Sequence, residues 1–259
     1  MIVRIDDPGD PRIADYRDVR ERDLQRGGGF MAEGEVVLRK AVHGRHALRS
    51  LLLAEDRVAA LAEVIAALPR SVPVHVASQA VMNGIVGFPI HRGVLAYGER
   101  AAEPAVEALL AGLDLVVALY GVANTDNMGG VFRNAAAFGA GAVLLDETSC
   151  DPLYRKAIRT SVGASLLVPF ARVSDPLAAL ERAGFTAIAL SPSGAETLHG
   201  LKRPARAALL LGTEGPGLPS AVMARARTVS IPMAGGFDSL NLATTSGIAL
   251  HELAVASAP

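Results

Sequence analysis

The side chains of this chain that could do chemistry stand at three strand-to-helix turns. Asn127 and Arg133 lie in ANTDNMGGVFRNAAAFGA, Glu214 lies in LLLGTEGPGLP, and Ser239 and Asn241 lie in IPMAGGFDSLNLATTSGIALHEL. Ser239 and Asn241 stand where the chain enters a helix, so their side chains either cap its free backbone N–H groups or turn toward a bound ligand. Gly235 and Gly236 in the same loop let the backbone come close to whatever occupies it. Arg133 lies in the first turns of a helix that follows the polar turn around Asn127 and Gly129. Gly212, Gly215 and Gly217 surround Glu214, which is either a structural hydrogen-bond acceptor or a member of the site. No Gly-Lys-Ser/Thr accompanies these glycines, which argues against a Walker-type nucleotide loop. No G-x-G-x-x-G follows the first strand of this half, which argues against an ordinary dinucleotide fold. The loops suit a ligand enclosed by backbone groups. The single cysteine, Cys150, has no second thiol to pair with and no histidine close in sequence, so it reads as a small buried or half-buried residue rather than a nucleophile.

Such loops need a scaffold, and the apolar runs supply one. LVVALYGV, AVLLD, TAIAL, AALLLG and VSIP are each followed by a helix-like pattern, which predicts a buried parallel sheet with helices on both faces. Ligands on such sheets bind beyond the carboxyl ends of the strands, where the three turns lie. Upstream, strand-like runs at 30–31, 50–53, 74–77 and 93–97 alternate with helical patterns at 36–41, 58–68 and 79–84, which predicts a small α/β domain. The alanine-rich stretch ERAAEPAVEALLAGLD reads as a linker, so the expected domains are 1–100 and 112–259.

The chain of 259 residues has ample apolar material for a core, 51%, but no run near the roughly 20 apolar residues that span a bilayer. Its start, MIVRIDDPGDPRIADYRDVRERD, is too acidic and broken for a signal peptide, and a cytoplasmic location is expected. A net charge of −1 does not mark a nucleic-acid binder, so any RNA contact must come from local patches. Arg17, Arg20, Arg22 and Arg26 are interleaved with Asp15, Asp18, Glu21 and Asp23 and partly neutralised. Arg39, Lys40, Arg45 and Arg49 have fewer acids among them and make the better phosphate-contacting candidate, and Arg155, Lys156 and Arg159 form a third run. His43, His46, His75, His91, His199 and His251 offer no convincing metal ligand set.

The segments NTDNMGGVFRNAAAFGA, LLLGTEGPGLP and IPMAGGFDSLNLATTSGIALHE resemble, in order and spacing, motifs one, two and three of the SpoU (TrmH-like) branch of the SPOUT RNA methyltransferases. The stretch YRKAIRTSVGASLLVPF is similar to the family's segment after motif one. MAEGEVVLRKAV and FPIHRGVLAYGER resemble its small ribosomal-protein-like substrate-binding domain. The resemblance implies a 2′-O-ribose methyltransferase acting on ribosomal or transfer RNA with S-adenosylmethionine. It also implies an α/β domain with a deep trefoil knot, a homodimer, and neither a DNA nor a membrane partner. General topology rules would argue against the knot.

By the same resemblance Asn127 and Arg133 match motif one, Glu214 motif two, and Ser239 and Asn241 motif three, as the catalytic set. Gly212, Gly217, Ile231, Met233 and Leu240 match cofactor-holding positions. The chain departs from the pattern with Asn124 and Thr125 where Asp-Pro is usual, Asn134 where threonine is common, and Ala243 where serine is frequent. Arginine is a poor base, since its pKa exceeds about 12. Arg133 is therefore expected to clamp a phosphate and stabilise a developing alkoxide, while the role of base that the resemblance also allows would need a site that strongly perturbs it. Asn241 and Ser239 would orient the hydroxyl or the cofactor's carboxylate end, and Asn127 would hold the loop or the ribose. A non-catalytic RNA-binding or ribosome-assembly protein with this fold is expected to lose the arginine or the motif-three polar pair, and all are present. A small-molecule enzyme using another nucleotide would need an acidic ribose-binding residue or a phosphate loop, and neither is found.

Overall fold

The computed structural model describes residues 2–17, 19–86, 92–235 and 239–255. Asp18, His91, Gly236 and the start of FPIHRGVLAYGER lie outside the described residues. The chain divides into two compact units, one made of Met1–Ala102 and Leu153–Leu167, the other of Glu103–Pro152 and Val168–Pro259. A boundary near 112 does not anticipate the return of 153–167 to the first unit.

The first unit runs β1 (Ile2–Ile5), α1 (Glu21–Arg26), β2 (Gly29–Glu33), α2 (Glu35–Ala41), β3 (Ala47–Ala54), α3 (Ala62–Ala67), β4 (Val74–Ala77), α4 (Gln79–Val86) and β5 (Val94–Glu99). The sheet order is β1-β4-β3-β5-β2. β4 pairs parallel with β1 and β3, and β5 pairs antiparallel with β3 and β2. Leu51, Leu52 and Leu53 in the central strand are fully buried. The helical pattern over 58–68 shortens to α3 because a 3-10 turn at Glu55–Arg57 runs into tight turns, with Leu61 N bonded to both Arg57 O and Val58 O. Leu68 is extended ahead of Pro69, as a residue before proline prefers.

The second unit continues with α5 (Val106–Leu110), β6 (Leu115–Leu119), α6 (Thr125–Ala137) and β7 (Ala142–Leu145). After α7 (Arg155–Thr160), which belongs to the first unit, come β8 (Phe170–Arg172), α8 (Pro176–Arg182), β9 (Thr186–Leu190), β10 (Glu196–Thr197), β11 (Ala207–Leu211), α9 (Ser220–Met223), β12 (Arg227–Ser230) and α10 (Leu242–Val255). The order is β10-β12-β9-β11-β6-β7-β8, and every pair is parallel. Every residue of β6, β7 and β11 is buried, as a sheet covered on both faces requires. Val116, Ala118, Leu144 and Leu210 pack with Leu110, Leu177, Leu180 and Val222, the apolar sides of α5, α8 and α9. α6 and α10 pack against each other, and they contact β7 and β11 respectively. The parallel sheet expected from the apolar runs is therefore present, extended by the short edge strands β8 and β10. Among the described residues no helix is long and apolar enough to cross a membrane.

Candidate active site

The turn after β6 begins with Asn124, whose Oδ1 accepts from the backbone N–H of Asp126 at 2.8 Å and of Asn127 at 3.3 Å and so caps α6. Asn127 follows in the first turn and is buried. Its Nδ2 donates to Glu214 Oε1, and its Oδ1 accepts from Asn241 Nδ2 at 2.9 Å. Asn241 in turn caps α10, its Oδ1 accepting from Ala243 N at 2.9 Å and Thr244 N at 3.2 Å. Both ends of the Asn127 amide are thus satisfied, as a buried amide requires. Three turns, from three separate strands, are tied into one chain of hydrogen bonds. Glu214 is otherwise exposed, and among the described residues its Oε2 has no partner.

A cavity of about 500 Å³ opens past the carboxyl ends of β9, β11 and β12. Gly212, Gly217, Ile231, Met233 and Leu240 all line it, and so do Glu214 and Ser239. Asn127, Asn241 and Arg133 do not line it. The glycines at 212 to 217 are explained by crowding and backbone angle. A Cβ on Gly212 would sit 2.3 Å from the carbonyl carbon of Gly217, and Gly215 and Gly217 have φ of +93° and +71°. Gly217 N donates to Thr213 O at 3.1 Å, so the turn closes on itself and presents backbone to the cavity.

Arg133 is exposed and, among the described residues, its side chain makes no hydrogen bond or ion pair. It lies six residues beyond Asn127, about 9 Å further along the axis of α6 at roughly 1.5 Å per residue. The hydrogen-bonded chain does not include it. Cys150 is half-buried, and burial, reinforced by the charge of Asp151, pushes its thiol up to about 11, so it is no thiolate at neutral pH.

Residues outside the expected catalytic and cofactor-holding sets seat α10. Asn134 Nδ2 donates to Ala243 O at 2.7 Å and to Ser246 Oγ at 2.8 Å. Gly130 faces Ala243 so closely that a Cβ on it would lie 2.4 Å from the Ala243 methyl carbon. The sequence signal for this contact was present only as the two departures at 134 and 243. Leu242 and Thr245, in the first turn of α10, also line the cavity.

Residues 114–251 match the model of the SpoU rRNA Methylase family. An uncharacterised tRNA/rRNA methyltransferase of Mycobacterium bovis is 39% identical over 260 residues, which covers 95% of this chain and 89% of the relative. The AdoMet-bound rRNA methyltransferase from Sinorhizobium meliloti superposes with a TM-score of 0.84 at 24% identity, over 100% of this chain and 99% of that one. An RNA 2′-O ribose methyltransferase superposes with a TM-score of 0.77 at 24% identity, over 97% and 98% of the two chains. At that identity the two structures share its fold.

Proposed function

Because the chain belongs to the SpoU rRNA methylase family, we propose that it transfers a methyl group from S-adenosylmethionine to a ribose 2′-hydroxyl of ribosomal or transfer RNA. The observation that carries this reading is the hydrogen-bonded chain Asn241, Asn127, Glu214, closed between three separate turns beside a cavity at the ends of parallel strands. The cavity fits the cofactor in size, since small-molecule pockets span about 300–1,000 Å³. Leu211, Ile231, Met233 and Leu240 offer apolar walls to a nucleoside base, and the turn from Gly212 to Gly217 offers backbone groups to its polar edge. When bound, S-adenosylmethionine supplies a methyl group on a sulfonium, which is a strong donor.

The residues of the chain then align and stabilise. Among the described residues the Arg133 side chain has no partner to give up, and it clamps the phosphate beside the target ribose and stabilises the alkoxide as the hydroxyl proton leaves to phosphate or water. Asn127 spends both ends of its amide within the protein, so it holds the loops rather than the ribose. Ser239, on the cavity lining, orients the cofactor's carboxylate end or the acceptor hydroxyl. Asn241 fixes the first turn of α10. An acceptor 2′-hydroxyl makes the substrate RNA rather than DNA. Residues 1–100, together with 153–167, serve as the RNA-binding domain, and the rest of 112–259 as the methyltransferase domain. The enzyme works as a homodimer, as the family resemblance implies, and carries a deep trefoil knot, to which the return of α10, following β12, onto α6 and β11 lends support.

The test is transfer of radiolabelled methyl from S-adenosylmethionine to unmodified total RNA fractionated by size, with Arg133→Ala and Asn241→Ala alongside. Label in one RNA fraction, lost in both variants, is the expected result and names the substrate class. No label, with cofactor binding absent by calorimetry, overturns the catalytic reading in favour of a non-catalytic RNA-binding protein.

A further inference from the structure

The second and third basic runs of the sequence are separated by more than a hundred residues, yet the first unit joins them. No Asp or Glu occurs in 36–54 or in 152–167. The two segments pack directly: a Cβ on Gly44 would meet Leu166 O at 2.8 Å, and one on Gly163 would meet Val37 Cα at 3.3 Å and Lys40 Cβ at 3.4 Å. Acids from elsewhere then sort the cations. Glu35 holds Arg39 at 2.9 Å, Glu99 holds Arg49, and Glu33 holds Arg155 at 3.1 Å. Arg45 is bonded to the carbonyl of Ala102. The run 39–49 is therefore not the uniform phosphate surface that its sequence suggests, because two of its charges are locally neutralised.

Lys40 and Arg159 differ, for among the described residues the side chain of neither makes a hydrogen bond or an ion pair. Both flank one turn. Val162 N donates to Arg159 O at 3.0 Å, and Lys40 Cδ would lie 3.4 Å from a Cβ on Gly163. That turn is strained: Val162 has φ of +53°, a left-handed conformation that β-branched residues avoid. Gly163 N bonded to Ile158 O at 2.8 Å and Ser161 Oγ bonded to Ile158 O at 2.9 Å hold it in place. Strain of this kind persists only where the surroundings impose it, and it clusters at sites that hold a ligand.

We infer that Lys40 and Arg159, on either side of the Val162 turn, contact backbone phosphates of the substrate RNA and carry much of the electrostatic binding of the first unit. The inference rests on the RNA methyltransferase reading above. Each phosphate contact contributes a factor of about 5 to 8 in affinity at 0.1 M salt, from salt exponents of roughly 0.7 for single strands and 0.9 for duplexes.

The experiment measures binding of the full chain to in vitro transcribed, unmodified ribosomal RNA and transfer RNA between 0.05 and 0.3 M salt, roughly the range over which counterion release is resolved. Lys40→Ala with Arg159→Ala is expected to weaken the tighter complex about 25- to 60-fold at 0.1 M salt and to lower the salt slope by about 1.4 to 1.8. Affinity for S-adenosylmethionine is expected to stay unchanged, which reports an intact fold. Arg49→Ala with Glu99→Ala keeps the net charge and is expected to leave the slope alone. An unchanged slope in the Lys40, Arg159 pair, with wild-type RNA binding normal, overturns the surface and spares the methyltransferase reading. Absence of RNA binding by the wild type overturns both.

Discussion

Gly130→Ala tests the seat of α10 on α6, because the contact leaves no room for a methyl group. The new carbon would lie 2.4 Å from Ala243 Cβ and 3.6 Å from its Cα. Carbon–carbon contacts settle near 3.5–4.0 Å, so roughly 1.1–1.6 Å of separation must be found. The neighbouring bonds from Asn134 to Ala243 O and Ser246 Oγ, at 2.7 and 2.8 Å, cannot stretch by that much and survive. Overpacking costs about 1–3 kcal/mol and the two lost hydrogen bonds about 1 kcal/mol each, offset by about 1 kcal/mol of improved helix propensity. The net loss is about 3 kcal/mol on those figures, read as a lower urea midpoint at an unchanged slope. Because Leu242 and Thr245 of α10 line the cavity, affinity for S-adenosylmethionine by calorimetry falls with it. Ala243→Gly removes the obstacle, so the double variant recovers about 2 kcal/mol relative to Gly130→Ala despite the added glycine. A Gly130→Ala protein as stable as wild type, or a double variant no better than the single, refutes the close-packed seat.

Gly212→Ala places a Cβ 2.3 Å from Gly217 C and 2.4 Å from Leu218 N, so the turn must open and calorimetry should show the cofactor Kd rising at least tenfold, roughly 1.4 kcal/mol. An unchanged Kd would remove this turn from the binding site. Tyr16 Oη and Ser50 Oγ share a buried hydrogen bond of 2.8 Å, so Tyr16→Phe should cost about 1–2 kcal/mol in urea unfolding, and much less in a Ser50→Ala background. Equal costs in both backgrounds would count against that bond. His75 is buried with Nδ1 unpartnered among the described residues, and burial first, then the charge of Arg12, holds its pKa below the ordinary value against the opposing pull of Asp10. The unfolded chain therefore takes up the proton first, so this histidine's stabilising contribution is complete above about pH 6.5 and is lost as pH falls below it. Urea midpoints between pH 7 and 5 should fall more steeply for wild type than for His75→Gln, and parallel profiles would reject the assignment.

The clearest apolar runs in the sequence form β6, β7 and β11, every residue of which is buried, and β9, buried over its three central residues, whereas VSIP covers only the end of β12, where Val229 alone is buried. β8 and β10 have 3 and 2 residues, too few for any pattern to register. β1, hidden in an acidic and broken start, becomes a strand by pairing in parallel with β4 across more than seventy residues of chain. The site divides in the same way. Asn127, Glu214 and Asn241 stand out by type and turn position, but their bonds span 87 and 114 residues and follow from where the sheet brings its strand ends. Which cations stay free was unreadable because Arg49 is neutralised by Glu99, fifty residues away across β3 and β5.

The two departures at 134 and 243 show why motif positions are poorly judged one at a time. Replacing a serine by Ala243 removes a possible hydrogen bond, and replacing a threonine by Asn134 changes the reach of a side chain on the facing helix. In the fold these are a single contact. Asn134 reaches past the Ala243 methyl to that residue's own carbonyl and to Ser246, so the interface between α6 and α10 keeps its polar tie without a hydroxyl at 243. Ser246 Oγ donates to the same carbonyl at 2.7 Å, which leaves the first turn of α10 held from two sides. The small Ala243 side chain meanwhile lets Gly130 come within contact distance. Asn241, at the start of that turn, can then keep its bond to Asn127, and the hydrogen-bonded chain to Glu214 survives both substitutions. The departures therefore bear on how the helix pair is fastened and leave the polar set beside the cavity intact.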